Sequence, residues 1–143
     1  MRVFLDANIL SSAAKSDGAI RLLLRNLGTS GHQLVADAYV WEEARRNISI
    51  RDPSALEELE KISATVKIDA VYNISEAAVA KLPVVDKDKP VLASAIKQNC
   101  NVLLTGDRTH FGKLYDTTVE GVAIISPKQA AQSLLGPRER SSS

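Results

Sequence analysis

Short apolar runs recur along this chain, and each is separated from the next by a segment with helical spacing. The runs are "RVFL" (Arg2–Leu5), "QLVA" (Gln33–Ala36), "TVKI" (Thr65–Ile68), "NVLLT" (Asn101–Thr105) and "GVAII" (Gly121–Ile125). After the first, Ile20, Leu23, Leu24 and Leu27 share one face of a helix over Asp17–Leu27, and Gly28 stands where that helix would stop. After the second, Asp37 can cap a helix carrying Val40, Trp41, Ala44 and Ile48, and Asp52-Pro53-Ser54 restarts the chain into a helix with Leu56, Leu59 and Ile62. Ser75 and Glu76 open a short helix that ends before Pro83. Pro90 begins one with Val91, Leu92, Ala95 and Ile96 inward, and Ser126-Pro127 starts a last helix through Leu135. Strands that are apolar throughout must be covered on both faces, and strands joined through helices run parallel. The alternation therefore predicts a three-layer α/β/α fold with a five-stranded parallel sheet.

At 143 residues the chain suits one domain, expected over residues 1–135. The last residues, "GPRERSSS" (136–143), have no apolar side chain to bury and read as a disordered tail. Formal net charge is only +1, so a broad basic nucleic-acid face is excluded and any such contact must use local patches. The lone cysteine, Cys100, permits no internal disulfide and no cysteine-based zinc site, which fits a reducing cytosol. No run is long and apolar enough to span a membrane, and Asp6 and Asn8 interrupt the opening "MRVFLDANILSSAAK" too early for an export signal. A cytoplasmic location follows as the expectation.

In such a fold, ligands bind outside the carboxyl ends of the strands. Four acids from distant parts of the chain fall on that edge. Asp6 follows the first strand, Glu43 lies in the second turn of the helix after the second, Asp88 opens the helix before the fourth, and Asp107 follows the fourth strand. Each also has a plain structural reading. Asp6 and Asp88 can cap helices, Glu43 can be a solvated helix residue, and Asp107 can belong to a turn. Those readings do not explain why all four share one edge. Of the adjacent glutamates, Glu43 lies about 115° from the centre of its helix's apolar stripe and Glu42 about 145°, at about 100° per residue. Glu43 is therefore assigned to the site and Glu42 to solvent.

Clustered carboxylates repel one another and call for a cation. Oxygen-only ligands favour hard divalent ions, Mg²⁺ or Mn²⁺, over zinc. Such ions bind through carboxylates plus substrate phosphate and can activate a water, which is suitable apparatus for cutting a phosphodiester. Arg45, Arg46, Lys87, Lys89, Arg108 and Lys113 stand near this edge and are candidates to hold a phosphate backbone, although a solvated face is the better reading for several of them. His110 is close to Asp107 in sequence, while His32 merely precedes a strand. Trp41 and Cys100 read as core residues.

These residues resemble the PIN-domain nucleases. "VFLDANIL" looks like that family's opening strand, with Asp6 as its first acid and Asn8 as the partner two residues on. "DAYVWEEARRNI" looks like its second motif, matching Glu43. "DKDKPVLASAIKQNCNVLLTGDRTHF" looks like its third, with Asp88 before an alanine-containing helix and a strand ending in Thr105-Gly106-Asp107. The resemblance spans roughly the whole of Met1 to Leu135. It implies catalytic and metal-binding roles for Asp6, Glu43, Asp88 and Asp107, and contacts from Asn8 and Thr105. It further implies a Mg²⁺- or Mn²⁺-dependent endoribonuclease, the toxin half of a toxin–antitoxin pair, acting as a homodimer on RNA and restrained by an antitoxin protein. Asp86, two residues before Asp88, is a competing third acid. Two rival readings remain. A phosphatase of the haloacid dehalogenase type would need an aspartate where Asn8 stands, and a non-catalytic RNA-binding or scaffold protein would not need all four acids.

Overall fold

Apolar strand cores and firmly terminated helices set the architecture. The computed structural model describes residues 1–70, 76–84, 86–106 and 114–135. Strands β1 (Arg2–Leu5), β2 (Gln33–Asp37), β3 (Lys67–Asp69), β4 (Val102–Leu104), β5 (Thr117–Val119) and β6 (Val122–Ile125) form one six-stranded sheet in the order β3-β2-β1-β4-β6-β5. Every neighbouring pair is parallel except β5–β6, which is antiparallel. Helices α1 (Ala7–Lys15), α2 (Ala19–Thr29), α3 (Ala38–Arg51), α4 (Leu56–Ser63), α5 (Glu76–Ala80), α6 (Lys89–Lys97) and α7 (Pro127–Ala130) cover both faces. Val3, Phe4, Leu5, Leu103, Leu104 and Ile124 are all 0% exposed, as the centre of a doubly covered sheet requires. Each such side chain contributes about 1.5–3 kcal/mol by leaving water.

The expected α/β class holds, with one strand more than the five read from sequence. The addition, β5, makes a two-residue hairpin with β6 through Glu120 and Gly121, and Val119 pairs with Val122. Both turn residues have positive φ, 49° and 86°, which matches the right-handed twist of a tight hairpin. Glu is a poor signal for that turn, and the polar Thr117-Thr118 of an edge strand lack the apolar run that marked the others.

α1 is anticipated only by the capping reading of Asp6, because the apolar periodicity first marks a helix at Asp17. Small residues at Ser11 to Ala14 mute the apolar contrast on which periodicity depends. Gly28 does not end α2. The helix runs one residue further, and Gly31 at φ 92° closes it, with Gly31 N–H bonding Gly28 O and His32 N–H bonding Leu27 O. α6 ends the same way on Asn99 at φ 57°. Two other terminal signals behave as read. The Asp37 carboxylate accepts Val40 N–H, and Ser126 with Gln129 forms a reciprocal capping box. The segment 136–143 lies outside the described residues. Among the described residues, no helix is long and apolar enough to cross a membrane.

Candidate active site

From β1 the chain moves outward through β2 to β3, then returns to β4 on the other side of β1. The carboxyl ends of β1 and β4 therefore flank the point where strand order reverses, where open α/β sheets leave a crevice. Leu5 pairs with Leu104, so Asp6 and Thr105 leave the sheet at the same level. Asp6 N–H bonds Leu104 O at 3.1 Å, and Thr105 N–H bonds Ile125 O at 3.1 Å.

Asp6 does two jobs. Its Oδ1 accepts Ala7 N–H at 2.8 Å and opens α1, as the capping reading expected. Its Oδ2 faces the β4 side, accepting the Thr105 hydroxyl at 2.9 Å and the Asn8 amide at 3.3 Å. Asn8 reaches further, its Oδ1 accepting Gly106 N–H at 2.9 Å. Thr105 is fully buried, and its carbonyl accepts Tyr115 Oη at 3.0 Å. The two strand ends are thus tied together by side chains. Burial pushes the Asp6 carboxyl up to about 6, against the pull of the Thr105 hydroxyl and Ala7 N–H, and the nearby charges of Asp88 and Glu43 add to the rise.

Asp88 occupies the N-cap position of α6 but makes no capping hydrogen bond, and it is buried. Capping is therefore not what its carboxylate does. Glu43 is half-buried on α3, while Glu42 is exposed and pairs with Arg45 at 3.5 Å. Asp6, Glu43 and Asp88 line one crevice of about 350 Å³, together with Asn8 and Gly106. Asp86 does not line it. Its exposed carboxylate pairs with Lys89 at 2.9 Å, and that ammonium holds it below the usual carboxylate range.

The expected cations divide differently. Lys89 is committed to Asp86 and to Ala80 O, and neither Lys89 nor exposed Arg46 lines the crevice. Arg45 is paired with Glu42 and Glu60. Asp107, Arg108, His110 and Lys113 lie outside the described residues. Among the described residues, the cations that line the crevice are Lys15 and Arg51, with Ser11, Ser12 and Asn47. Sequence reasoning passed over them. The signal was present as helical spacing: Asn8, Ser12 and Lys15 on α1, and Glu43, Asn47 and Arg51 on α3.

A larger groove of about 740 Å³ lies between α2 and α4, near the amino ends of β2 and β3. Among the described residues its lining has one carboxylate, Glu58, which already faces Arg21 at 3.8 Å. The clustered carboxylates therefore lie in the crevice and not in this groove. The crevice donors are all oxygens, with no histidine or cysteine among its described lining. That chemistry fits a hard divalent cation. A cation would also relieve the repulsion that helps hold the Asp6 carboxyl high. Among the described residues, no three Asp, Glu, His or Cys side chains form a ready-made metal shell. Mg²⁺ does not need one, because it keeps several waters and takes one or two carboxylates.

No curated protein matches this chain. Among solved structures it is similar to VapBC2 from Rickettsia felis bound to a DNA fragment from its promoter, with TM-score 0.64 and 16% identity over 88% of this chain and 98% of that one. It is also similar to VapBC-1 from nontypeable Haemophilus influenzae, with TM-score 0.60 and 14% identity over 90% and 99%. FitAB bound to an IR36 DNA fragment shares the fold with TM-score 0.57 and 15% identity over 87% and 94%. Identities this low establish a common fold. The sequence profile of the PIN domain itself matches residues 2–109, from the first strand through Asp107, and the chain accordingly belongs to the PIN-domain family.

Proposed function

We propose that this protein is a Mg²⁺- or Mn²⁺-dependent endoribonuclease that hydrolyses RNA phosphodiester bonds, and that it is the toxin component of a toxin–antitoxin pair. The observation that carries the reading is the convergence of Asp6, Glu43 and Asp88 on one crevice at the strand-order reversal, with the Asp6 proton affinity raised by burial and by its two acidic neighbours. Asp107 follows Thr105-Gly106 directly, and Asn8 holds Gly106, so we assign Asp107 to the same group. Asp6, Asp88 and Asp107, with Glu43, would hold the cation. When bound, it would supply an acidified water and a charge to steady the phosphoryl oxygens. Thr105 and Asn8 orient the Asp6 carboxylate and so keep one donor at a fixed position. Glu43, on a separate helix, provides a carboxylate able to accept a proton from a water in the crevice.

The fold shared with VapBC and FitAB proteins supports an antitoxin partner that covers the crevice, and Arg or Lys side chains would satisfy its carboxylates. A homodimer acting in the cytoplasm completes the proposal. The test is metal-dependent cleavage of a mixed single-stranded RNA pool. Cleavage with fresh Mg²⁺ or Mn²⁺ that stops in chelator is the expected result. Intact RNA in the presence of metal and folded protein would favour a non-catalytic RNA-binding or scaffold role. Expression with and without the neighbouring gene tests the toxin role. Equal growth in both cases, with active enzyme present, counts against it.

A further inference from the structure

Two helical stripes face the crevice. On α1, Asn8, Ser12 and Lys15 recur at one-turn intervals, and on α3, Glu43, Asn47 and Arg51 do the same. α1 and α3 pack against each other, and all six residues line the one crevice. Both stripes grade in the same sense. The carboxylates of Asp6, Glu43 and Asp88 lie at the carboxyl edge of the sheet. Neutral hydrogen-bonding side chains follow, and a cation ends each stripe. Among the described residues, neither Lys15 nor Arg51 has an ion-pair or hydrogen-bond partner, and both are exposed. This differs from Arg21, Arg45 and Lys89, which are engaged elsewhere. Ser12 and Lys15 also border a shallower cavity of about 270 Å³ beside Ser16 and Gly18, so the polar floor continues past the end of α1.

We propose that the crevice between α1 and α3 is the track of a single RNA strand, with Lys15 and Arg51 gripping backbone phosphate beyond the cleavage point. Ser12 and Asn47 supply neutral hydrogen bonds between the grip and the carboxylates. At about 1.5 Å of rise per residue, Lys15 and Arg51 stand roughly 10–12 Å along their helices from Asn8 and Glu43. That is several times the roughly 3.4 Å rise per nucleotide of a stacked strand, so the phosphate held is a few nucleotides from the bond to be cut. This arrangement explains how a chain of net charge +1 can hold a polyanion beside three carboxylates. The attraction is local and set back from the acids, and contacts to phosphate position the strand without reading its bases.

The inference rests on the ribonuclease reading, and its test separates the two. Binding of a short labelled single-stranded RNA is measured with Mg²⁺ present, on an Asp88→Asn background that leaves the RNA uncut, over a series of salt concentrations. Adding Lys15→Gln and Arg51→Gln together is expected to weaken binding about tenfold or more at moderate salt. It should also lower the slope of log affinity against log salt by about 1.4, since each phosphate contact on a single strand contributes about 0.7. Restoring charge with Lys15→Arg and Arg51→Lys should recover most of both. The Mn²⁺-induced rise in melting temperature, measured without RNA in the Asp88-intact protein, should be the same with and without the two glutamines, because neither position is a metal ligand. If the protein binds and cuts RNA but the slope does not change, the track is wrong and the nuclease reading stands. If protein with all four acids intact neither binds nor cuts RNA, both fall.

Discussion

Replacing Asp6 with asparagine removes a buried negative charge at nearly constant volume, and the effect on metal-free stability follows from its surroundings. The folded carboxyl titrates at about 6, against 3.8 for an aspartate free in water. The folded state therefore holds this proton more tightly than the unfolded chain. The group's contribution to stability is intact below pH 3.8 and is lost as pH rises through 6. A shift of this size corresponds to about 3 kcal/mol of penalty above pH 6, at about 1.4 kcal/mol per unit. The Asp6→Asn variant would escape that penalty but would lose part of the present bonding. An amide has one acceptor oxygen, whereas the carboxylate now accepts Ala7 N–H, the Thr105 hydroxyl and the Asn8 amide. One or two weakened hydrogen bonds cost about 1–2 kcal/mol together. The expected balance at pH 7.5 is a variant about 1–2 kcal/mol more stable than the parent, or roughly 3–8 °C in melting temperature. Below roughly pH 5 the parent's carboxyl is largely protonated when folded, and the order should reverse. Thermal melts in chelator from pH 4 to pH 8 follow this crossing. A variant less stable than the parent at every pH would refute the reasoning, because Asp6 would then carry no burial penalty. With Mn²⁺ added at pH 7.5, the parent should gain more stability than the variant, through binding to the native state alone.

Asp107→Asn should keep the fold, abolish metal-dependent cleavage and show a smaller Mn²⁺-induced stabilisation. An unchanged metal response would leave Asp107 a turn residue. Thr105→Val removes the hydroxyl that bonds Asp6 at 2.9 Å, so the Asp6 carboxyl should rise further, the acid limb of the pH–activity profile should move to higher pH, and metal-free stability should fall by about 1–2 kcal/mol. Arg21 bonds the Ala13 and Ala14 carbonyls at 2.8 and 3.1 Å, so Arg21→Ala should loosen the end of α1 and cost about 1–3 kcal/mol in a denaturant melt.

Much of this protein is legible in its sequence. The runs at Val3–Leu5, Val102–Leu104 and Val122–Ile125 are apolar on both faces, and their alternation with helical segments points to a covered, mainly parallel sheet. The separation of Glu43 from Glu42 follows from the apolar stripe of α3, because a helix fixes the angle between neighbours whatever it packs against. The caps at Asp37 and Ser126 are legible for the same reason, since a cap is made within a few residues of itself. What stays hidden is which of several possible partners the folded chain brings within reach. Asp86 and Asp88 look alike in "DKDK", and only the fold turns one toward Lys89 and solvent and buries the other at the crevice. Lys89 reads as a better phosphate ligand than Lys15 for its place beside Asp88, until Asp86 and Ala80 O claim its ammonium. Lys15 and Arg51 end two helices that are far apart along the chain, and their approach exists only once α1 packs on α3. Local sequence determines the periodicity, the caps and the chemistry of each side chain. Which charges share a crevice, and which are already neutralised, is decided by long-range packing, because electrostatic and hydrogen-bonding partners are chosen by distance in space.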